Sequence, residues 1–326
     1  MVISVSRRTD IPAFYTEWFL NRIKAGYVDV INPFNTKQAN RISLKKEDVD
    51  CFVFWTKNPR PLLDRLAELD GYNYYFQYTI NSYGKDIEPK VPSKSNELID
   101  TFIELSKKIG REKVIWRYDP IILTEKYTKE WHVKYFEEII KKLAPYTRKC
   151  VFSFVDLYAK TKRNTKGLDI TELSVEDMEY IAKSFSVIAK KYNIELATCC
   201  EKIDLNKYGI KHNSCIDGEL IKELFGIEVS NKRDAQREYC GCIKCNDIGA
   251  YNTCKHQCKY CYATFNNEAV LENEKSHNPN SSLLVGELTD DVKVYPVKVE
   301  TEKKELKRLF EVWGDCNVVI FYISYW

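Results

Sequence analysis

Three cysteines in the C-terminal third of the chain have the spacing of an iron–sulfur ligand loop. The sequence reads Cys254-Lys-His-Gln-Cys258-Lys-Tyr-Cys261, with three and then two residues between the thiols. Such a loop supplies three ligands to a cubane of four irons and leaves the fourth iron open, as in a catalytic metal site. An electron-transfer cluster would take a fourth thiolate instead. The spacing therefore favours a 4Fe–4S cluster that can bind a further ligand.

Zinc is the main alternative at this loop. The pairs Cys242/Cys245 and Cys258/Cys261 both have the Cys-x-x-Cys form of a zinc ribbon, and spacing motifs carry a known risk of false matches. A closed, ferredoxin-like cluster is a further alternative.

A second group of cysteines lies upstream of this loop. Cys200, Cys215, Cys240 and Cys242 are predicted to hold an auxiliary iron–sulfur cluster. Free thiols or a zinc ion fit the same spacing equally well, so the sequence leaves these alternatives open.

Bulk composition is that of a soluble globular protein. The chain has 326 residues, 44% hydrophobic and 30% charged, a net charge of +3 and 12 cysteines. We expect a cytoplasmic protein with reduced thiols, because no secretory signal or membrane-spanning run is visible. The small net charge does not indicate a nucleic-acid binder.

Short apolar runs alternate with helical patterns along the first two hundred residues. Predicted strands cover residues 2–5, 28–31, 51–55, 74–79, 114–116, 150–154 and 194–197. Predicted helices cover residues 14–24, 61–69, 96–109, 130–143 and 175–192, with shorter ones at 219–224 and 268–275. Residues 32–49 look like a long loop, and the tail suggests a helix at 303–312 and a strand at 318–325.

This alternation predicts an α/β fold with a parallel sheet covered by helices. Seven strands come close to the eight of a (β/α) barrel, so we expect a barrel or partial barrel. A doubly wound open sheet is the second choice. The predicted division is a barrel domain at 1–226, a cysteine-rich cluster segment at 227–288 and a tail of unknown role at 289–326.

Polar residues follow several predicted strands, at the edge where parallel sheets usually carry their active sites. Lys57, Arg117, Asp119 and Glu201 are the predicted catalytic residues. Predicted cofactor-binding residues at the same edge are Arg8, Thr56, Asn58, Gln77 and Ser153, to which Tyr260 and Tyr262 of the cysteine loop are added. Internal salt bridges and loop caps are the alternative role for these side chains.

The cysteine loop resembles that of the radical S-adenosylmethionine superfamily, in which an aromatic residue, here Tyr260, precedes the third cysteine. The resemblance implies that the open iron binds the amino and carboxylate groups of S-adenosylmethionine. Reductive cleavage would then give a 5′-deoxyadenosyl radical that abstracts a hydrogen atom from a substrate. An electron donor such as flavodoxin or ferredoxin is implied as a partner.

Two further resemblances refine this prediction. The segment Trp55-Thr-Lys-Asn-Pro59 resembles spore photoproduct lyase, which hints at a nucleic-acid or nucleotide substrate. Over residues 1–288 the chain resembles a bacterial and archaeal family defined only as a domain of unknown function. The segments that carry this likeness are Ser6-Arg-Arg-Thr-Asp-Ile-Pro-Ala-Phe-Tyr15, Phe54-Trp-Thr-Lys-Asn-Pro59, Trp116-Arg-Tyr-Asp-Pro120, Asp247-Ile-Gly-Ala-Tyr-Asn-Thr-Cys254 and His277-Asn-Pro-Asn-Ser-Ser-Leu-Leu-Val-Gly-Glu287.

One departure from the superfamily has a structural consequence. Its members usually carry the three-cysteine loop after the first barrel strand, whereas here the loop follows every predicted barrel strand. Circular permutation explains this order, because the ends of a domain often lie close together. The loop must then return to the carboxyl edge of the sheet. The competing function is a zinc- or iron–sulfur-stabilised module that binds nucleic acid without radical chemistry, and a simple electron-transfer protein is a weaker third hypothesis.

Overall fold

The computed structural model describes residues 1–156, 159–234, 238–299 and 304–305. Its strands are β1 (Val2–Val5), β2 (Tyr27–Asn32), β3 (Asn35–Ser43), β4 (Cys51–Thr56), β5 (Tyr74–Thr79), β6 (Val114–Ile121), β7 (Lys149–Phe154), β8 (Glu195–Thr198), β9 (Lys211–His212), β10 (Ile227–Glu228), β11 (Asn246–Asp247), β12 (Lys293–Pro296) and β13 (Lys304–Glu305).

Its helices are α1 (Ile11–Phe14), α2 (Thr16–Ala25), α3 (Arg60–Leu63), α4 (Ile99–Ile109), α5 (Lys129–Leu143), α6 (Ala159–Asn164), α7 (Val175–Lys191), α8 (Gly218–Phe225) and α9 (Asn267–Lys275). Single 3₁₀ turns lie at Leu66–Leu69, Arg111–Lys113, Ala144–Tyr146 and Asn206–Tyr208, and a π-helical turn at Lys94–Leu98 precedes α4. Within these described ranges, no helix is long and apolar enough to cross a membrane.

The main sheet has eight strands in the order β11-β1-β4-β5-β6-β7-β8-β9. Every neighbouring pair is parallel. The predicted α/β class with a parallel sheet is therefore confirmed, and the topology is compatible with a partial barrel. Because β11 joins this sheet beside β1, part of the cysteine-rich segment belongs to the same layer. The predicted domain boundaries stay a prediction.

Side chains of the sheet alternate between two buried faces, as a sheet covered on both sides requires. Phe52, Phe54 and Trp116 point into the large core that the helices cover. Cys51, Val53, Tyr75, Ile115 and Val151 point the other way and pack against residues that follow β8, namely Cys199, Cys215, Ile216, Ile221, Cys240, Cys242 and Ile243. The inner face is thus filled by described residues that lie between Cys199 and Ile243 in the chain.

Residues 27–43 form a hairpin outside the main sheet, which corrects two expectations. Residues 28–31 were expected to add a barrel strand, but β2 pairs antiparallel with β3, and β12 pairs parallel with β3. Much of the expected loop at 32–49 is β3 itself. Only Ala39 and Ile42 of β3 are buried, so the strand has too few apolar positions to show a strand pattern in the sequence.

Helix boundaries follow from local chemistry. Ser174 and Asp177 form a capping box at the start of α7, and Thr128 caps α5 by accepting a hydrogen bond from the Trp131 N–H. The helix and strand expected at 303–312 and 318–325 lie outside the described residues, apart from Lys304–Glu305, which pairs antiparallel with Ile227–Glu228.

Candidate functional site

Asp247 anchors the start of the cysteine loop to the carboxyl end of β1. Its carboxylate accepts hydrogen bonds from the Ser4 hydroxyl at 2.8 Å, the Ser6 hydroxyl at 2.5 Å and the Arg7 N–H at 2.8 Å. Gly249 follows so closely that a Cβ atom there would lie 2.1 Å from the Ser6 Oγ atom. A glycine is therefore required where the returning chain crosses the end of β1.

Asp10 and His256 connect the middle of the loop to the end of β4. One Asp10 oxygen accepts hydrogen bonds from the Lys57 N–H at 2.6 Å and from the His256 Nε2 atom at 2.9 Å. The other accepts from the Thr56 hydroxyl at 2.7 Å. The His256 Nδ1 atom is buried and has no hydrogen-bond partner among the described residues. His256 is therefore held in place by β4 and keeps one polar atom available.

A buried charge network lies beside the second cysteine. Glu88 is fully buried and pairs with Lys57 at 2.8 Å and with Lys94 at 2.7 Å. The Tyr260 hydroxyl and the Asn81 amide also donate hydrogen bonds to this carboxylate. Burial alone would raise the pKa of Glu88, but the two lysines outweigh it and lower this pKa to about 2.

Lys57 carries its charge next to the cysteine loop. Burial would lower the pKa of Lys57, but Glu88 and the neighbouring Cys258 thiol raise it overall. Its ammonium lies 5.5 Å from the centre of the Tyr260 ring. Lys57 is therefore a permanent cation between the end of β4 and Cys258.

Of the three cysteines of the loop, Cys258 is buried, and Cys254 and Cys261 are half-buried. Burial raises the pKa of Cys254 to about 12 and that of Cys258 well above its ordinary value, and the nearby third thiol, Cys261, adds to both shifts. Within residues 1–156, 159–234, 238–299 and 304–305, no three His, Cys, Asp or Glu side chains are grouped so as to hold a single metal ion. A buried thiol of this kind is inert unless a metal replaces its proton.

Backbone and amide contacts fix the outer side of the loop. The Lys90 N–H donates to the His256 carbonyl at 3.2 Å, and the Lys259 N–H donates to the Ile87 carbonyl at 3.0 Å. The side-chain amide of Asn164 donates to the Cys261 carbonyl at 3.1 Å. Segments that follow β5 and β7 therefore both hold the loop in place.

Arg117 and Asp119 form an ion pair on the inner face of β6. Arg117 is almost completely buried, and its Nη2 atom lies 2.6 Å from an Asp119 carboxylate oxygen. Arg117 also donates to the Gln77 side chain at 3.3 Å and lies 5.2 Å from the Trp55 ring. The Ser153 hydroxyl donates to the other Asp119 oxygen. Four of the predicted site residues thus contact one another.

The remaining predicted residues are spread along the rim. The Arg8 guanidinium lies 3.9 Å from Asp247, and the exposed Tyr262 donates to the Arg7 carbonyl at 2.9 Å. The Glu201 carboxylate accepts from the Phe154 N–H at 2.8 Å. Asn58 donates its N–H to the Thr56 hydroxyl at 3.0 Å, so this part of the rim is a capped turn after β4.

Among the described residues, four of the six cysteines outside the loop and the strands form a buried row beside Arg117. The Sγ atoms of Cys199 and Cys215 are 3.2 Å apart, and those of Cys199 and Cys200 are 3.9 Å apart. Cys215 is within hydrogen-bonding reach of Cys242, and Cys242 is within reach of Cys240. Of the predicted auxiliary ligands, three lie in this row, and Cys200 lies next to it.

Sequence reasoning missed five residues that hold the site together. Asp10, Asn81, Glu88, Asp247 and His256 were not among the predicted catalytic, cofactor-binding or metal-binding residues, although each makes a contact described above. Asp10 and Asp247 could have been noticed, because both stand in the segments that carry the family resemblance. Nothing in the local sequence singles out Glu88, whose partners come from three other parts of the chain.

Fold and site together define an α/β protein in which a cysteine-rich loop is bound to the carboxyl edge of a parallel sheet. The chain belongs to the family described as a domain of unknown function (DUF1848), whose model matches residues 2–263. The predicted membership of such a family is thereby confirmed.

Comparisons with individual proteins do not assign a function to this chain. No curated protein sequence matches the chain. A crystal structure of a Bacteroides thetaiotaomicron protein, named provisionally as an α-L-fucosidase, is 13% identical, covers 56% of this chain and 86% of its own, and has a TM-score of 0.25. At that TM-score the likeness carries no argument about fold or function.

Proposed function

We propose that this protein is a radical S-adenosylmethionine enzyme whose 4Fe–4S cluster binds to Cys254, Cys258 and Cys261. The observation that carries the proposal is where the cysteine loop lies. Although it follows the barrel strands in the chain, its residues contact the carboxyl ends of β1, β4 and β5 through Asp247, Asp10 and Glu88. This is the return that a permuted superfamily member requires.

The donor set supports a cluster better than a single ion. Three thiols are present in the loop, and none of the described residues completes a compact single-ion site with them. In a cubane each thiolate binds its own iron, so the ligands need not converge on one point. When bound, this cluster would supply the electron that cleaves S-adenosylmethionine.

Side chains of the rim would then bind and orient the cofactor. Lys57 is a buried cation next to Cys258, so it can offset part of the negative charge of a thiolate-bound cluster. The Trp55 indole N–H is buried on the inner face without a hydrogen-bond partner among the described residues, so a polar group of the cofactor or substrate can accept from it. We therefore assign Lys57 and the Arg117–Asp119 pair to cofactor and substrate orientation.

Reduction of the cluster needs a partner protein or an equivalent electron donor. A surface cavity beside the loop is lined by Arg163, Lys166 and Lys259 together with Cys258. Positive side chains around a cluster ligand favour docking of an acidic electron carrier, which flavodoxins and ferredoxins are. The likeness to spore photoproduct lyase makes a nucleotide or nucleic acid our proposed substrate class.

Release of 5′-deoxyadenosine tests the proposal directly. The protein would be purified and reconstituted without oxygen, reduced with dithionite and mixed with S-adenosylmethionine. We expect 5′-deoxyadenosine from the natural protein and a loss of at least 100-fold in Cys258→Ala, because a missing thiolate ligand removes the cluster. Cys150→Ala is the matched control, since Cys150 is a buried strand residue away from the loop.

The competing function makes the opposite prediction. Protein that binds zinc instead of iron and releases no 5′-deoxyadenosine would contradict radical catalysis and favour a zinc-stabilised binding module. A reconstituted cluster that does not respond to S-adenosylmethionine would favour electron transfer.

A further inference from the structure

The buried row of cysteines on the inner face of the sheet lies apart from the cysteine loop. Cys199 and Cys215 follow β8 and β9, and Cys240 and Cys242 precede β11. All four side chains are at most 8% exposed. Three segments of chain therefore bring four thiols into one row inside the molecule, and hydrophobic packing alone does not require sulfur at all four positions.

Hydrogen-bond donors point at these sulfur atoms. The Arg117 Nη1 atom lies 3.0 Å from the Cys215 Sγ atom, and the Asn213 side-chain amide lies 3.5 Å from it. The Ile216 N–H donates to the Cys242 Sγ atom at 3.4 Å. A neutral thiol is a weak acceptor, so a buried guanidinium and two amides facing the sulfurs of Cys215 and Cys242 match the thiolate form in which cysteine binds a metal.

The strand cysteines show the contrast. Cys51 and Cys150 are equally buried, and Cys51 donates to a backbone carbonyl at 3.4 Å. These two residues act as small apolar side chains in the core. The row beside Arg117 differs from them by having both a cation and neighbouring thiols.

We propose that Cys199, Cys215, Cys240 and Cys242 bind a second iron–sulfur cluster on the inner face of the sheet. Binding would replace the four S–H protons by four Fe–S bonds. Cys199 replaces Cys200 in the ligand set predicted from sequence, because Cys199 is the residue whose sulfur contacts Cys215. This site does not depend on the S-adenosylmethionine chemistry proposed for the loop.

A cluster fits this arrangement better than one zinc ion. The contacts join the sulfurs in a row, from Cys199 through Cys215 and Cys242 to Cys240. Zinc requires its ligands around a single tetrahedral centre, and no three such ligands are grouped in that way in the part of the chain that the structure describes. An iron–sulfur cluster distributes its four thiolates over two or more irons.

Removing the loop ligands isolates the second site. In the triple variant Cys254→Ala, Cys258→Ala, Cys261→Ala, reconstituted without oxygen, we expect about a third to a half of the iron and sulfide of the natural protein to remain, for a second cluster of two or four irons, together with a cluster absorption band. Adding Cys215→Ser and Cys242→Ser should remove this remainder. Adding Cys200→Ser instead is the matched control and should leave it in place.

Three results would overturn the assignment. A triple variant that binds neither iron nor sulfide, while its far-ultraviolet circular dichroism matches the natural protein, would show that the second site holds no cluster. Stoichiometric zinc in that variant would show that the second site binds a single zinc ion and not a cluster. Loss of the remaining iron and sulfide when Cys200→Ser is added, but not when Cys199→Ser is added, would show that the ligand set is wrong. None of these results depends on whether 5′-deoxyadenosine is formed.

Discussion

Glu88 is a buried carboxylate that is stabilised by partners from several segments of the chain. Its carboxylate forms ion pairs with Lys57, at the end of β4, and with Lys94, in the turn before α4. It also accepts a hydrogen bond from Tyr260 of the cysteine loop. An unpaired charge at this depth would be costly, so each partner depends on the others. Glu88 thereby fixes where the Lys57 cation lies relative to Cys258.

Replacing Glu88 should destabilise the protein in a pH-dependent way. Glu88→Gln leaves two partly buried lysines without their buried counter-charge, so we expect a loss of about 3 kcal/mol in the free energy of unfolding at pH 7. The ordinary pKa of 4.5 falls to about 2 in the folded protein. The stabilisation is therefore complete above about pH 5 and is lost as the pH falls through 4.5 toward 2.

Anaerobic urea unfolding of both proteins at pH 7 and at pH 4 measures this effect. The difference between natural protein and Glu88→Gln should be smaller at pH 4. Glu104→Gln is the control, because Glu104 pairs with Arg60 and Lys108 at the surface and should matter little at either pH. An equal difference at both pH values would contradict the depressed pKa.

At the scale of secondary-structure elements, the candidate site depends on how β11 and the cysteine loop after it are attached to the sheet. β11 contributes only two residues to the sheet, too few to be held by strand pairing alone. Asp247 compensates by accepting hydrogen bonds from Ser4, Ser6, Arg7 and the Gly249 N–H. The end of β1 and the start of the loop are thus joined mainly by one carboxylate.

Asp247→Asn should loosen this junction. The amide keeps the size of the side chain but loses the charge and one acceptor, so we expect a cost of about 2 kcal/mol in unfolding free energy and less iron per chain after reconstitution. Asp290→Asn, at an exposed position, is the control. Iron content and stability equal to the natural protein would show that the loop is held by other contacts.

At the scale of the whole molecule, the segment after α9 still belongs to the core. The Trp18 indole N–H donates to the carbonyls of Ser281 and Leu283, both at 3.0 Å, and Leu283 and Leu284 are 4% exposed. By contrast, β12 is mostly exposed and pairs with β3 of the hairpin, although Val297 and Val299 after it are partly buried against the core. The core therefore extends at least to Leu284, beyond the end of the family match at residue 263.

Two truncations test this extent of the core. A chain ending after Glu287 loses β12 and the pairing of β13 with β10, and we expect its iron content and 5′-deoxyadenosine release to match those of the full chain. A chain ending after Glu274 leaves the Trp18 N–H unpaired and removes two buried leucines, which should cost about 4 kcal/mol or more. Equal thermal unfolding midpoints for the two truncated chains would show that the core ends before residue 275.

The sequence by itself determined the parallel α/β fold, the family and the cysteine loop. Those features depend on local patterns: apolar runs at strand length, helical periodicity, and thiols a few residues apart. Even so, the polar strand β3 was missed, because only Ala39 and Ile42 of it are buried.

Only the tertiary structure decided which distant residues meet. It brought the loop back to the ends of β1, β4 and β5, paired Glu88 with Lys57 and Lys94, and placed Cys199 rather than Cys200 against Cys215. Cys199 and Cys200 are adjacent in the chain and their sulfurs lie 3.9 Å apart, so spacing alone could not choose between them. Contacts between residues up to 265 positions apart depend on the packing of the whole chain.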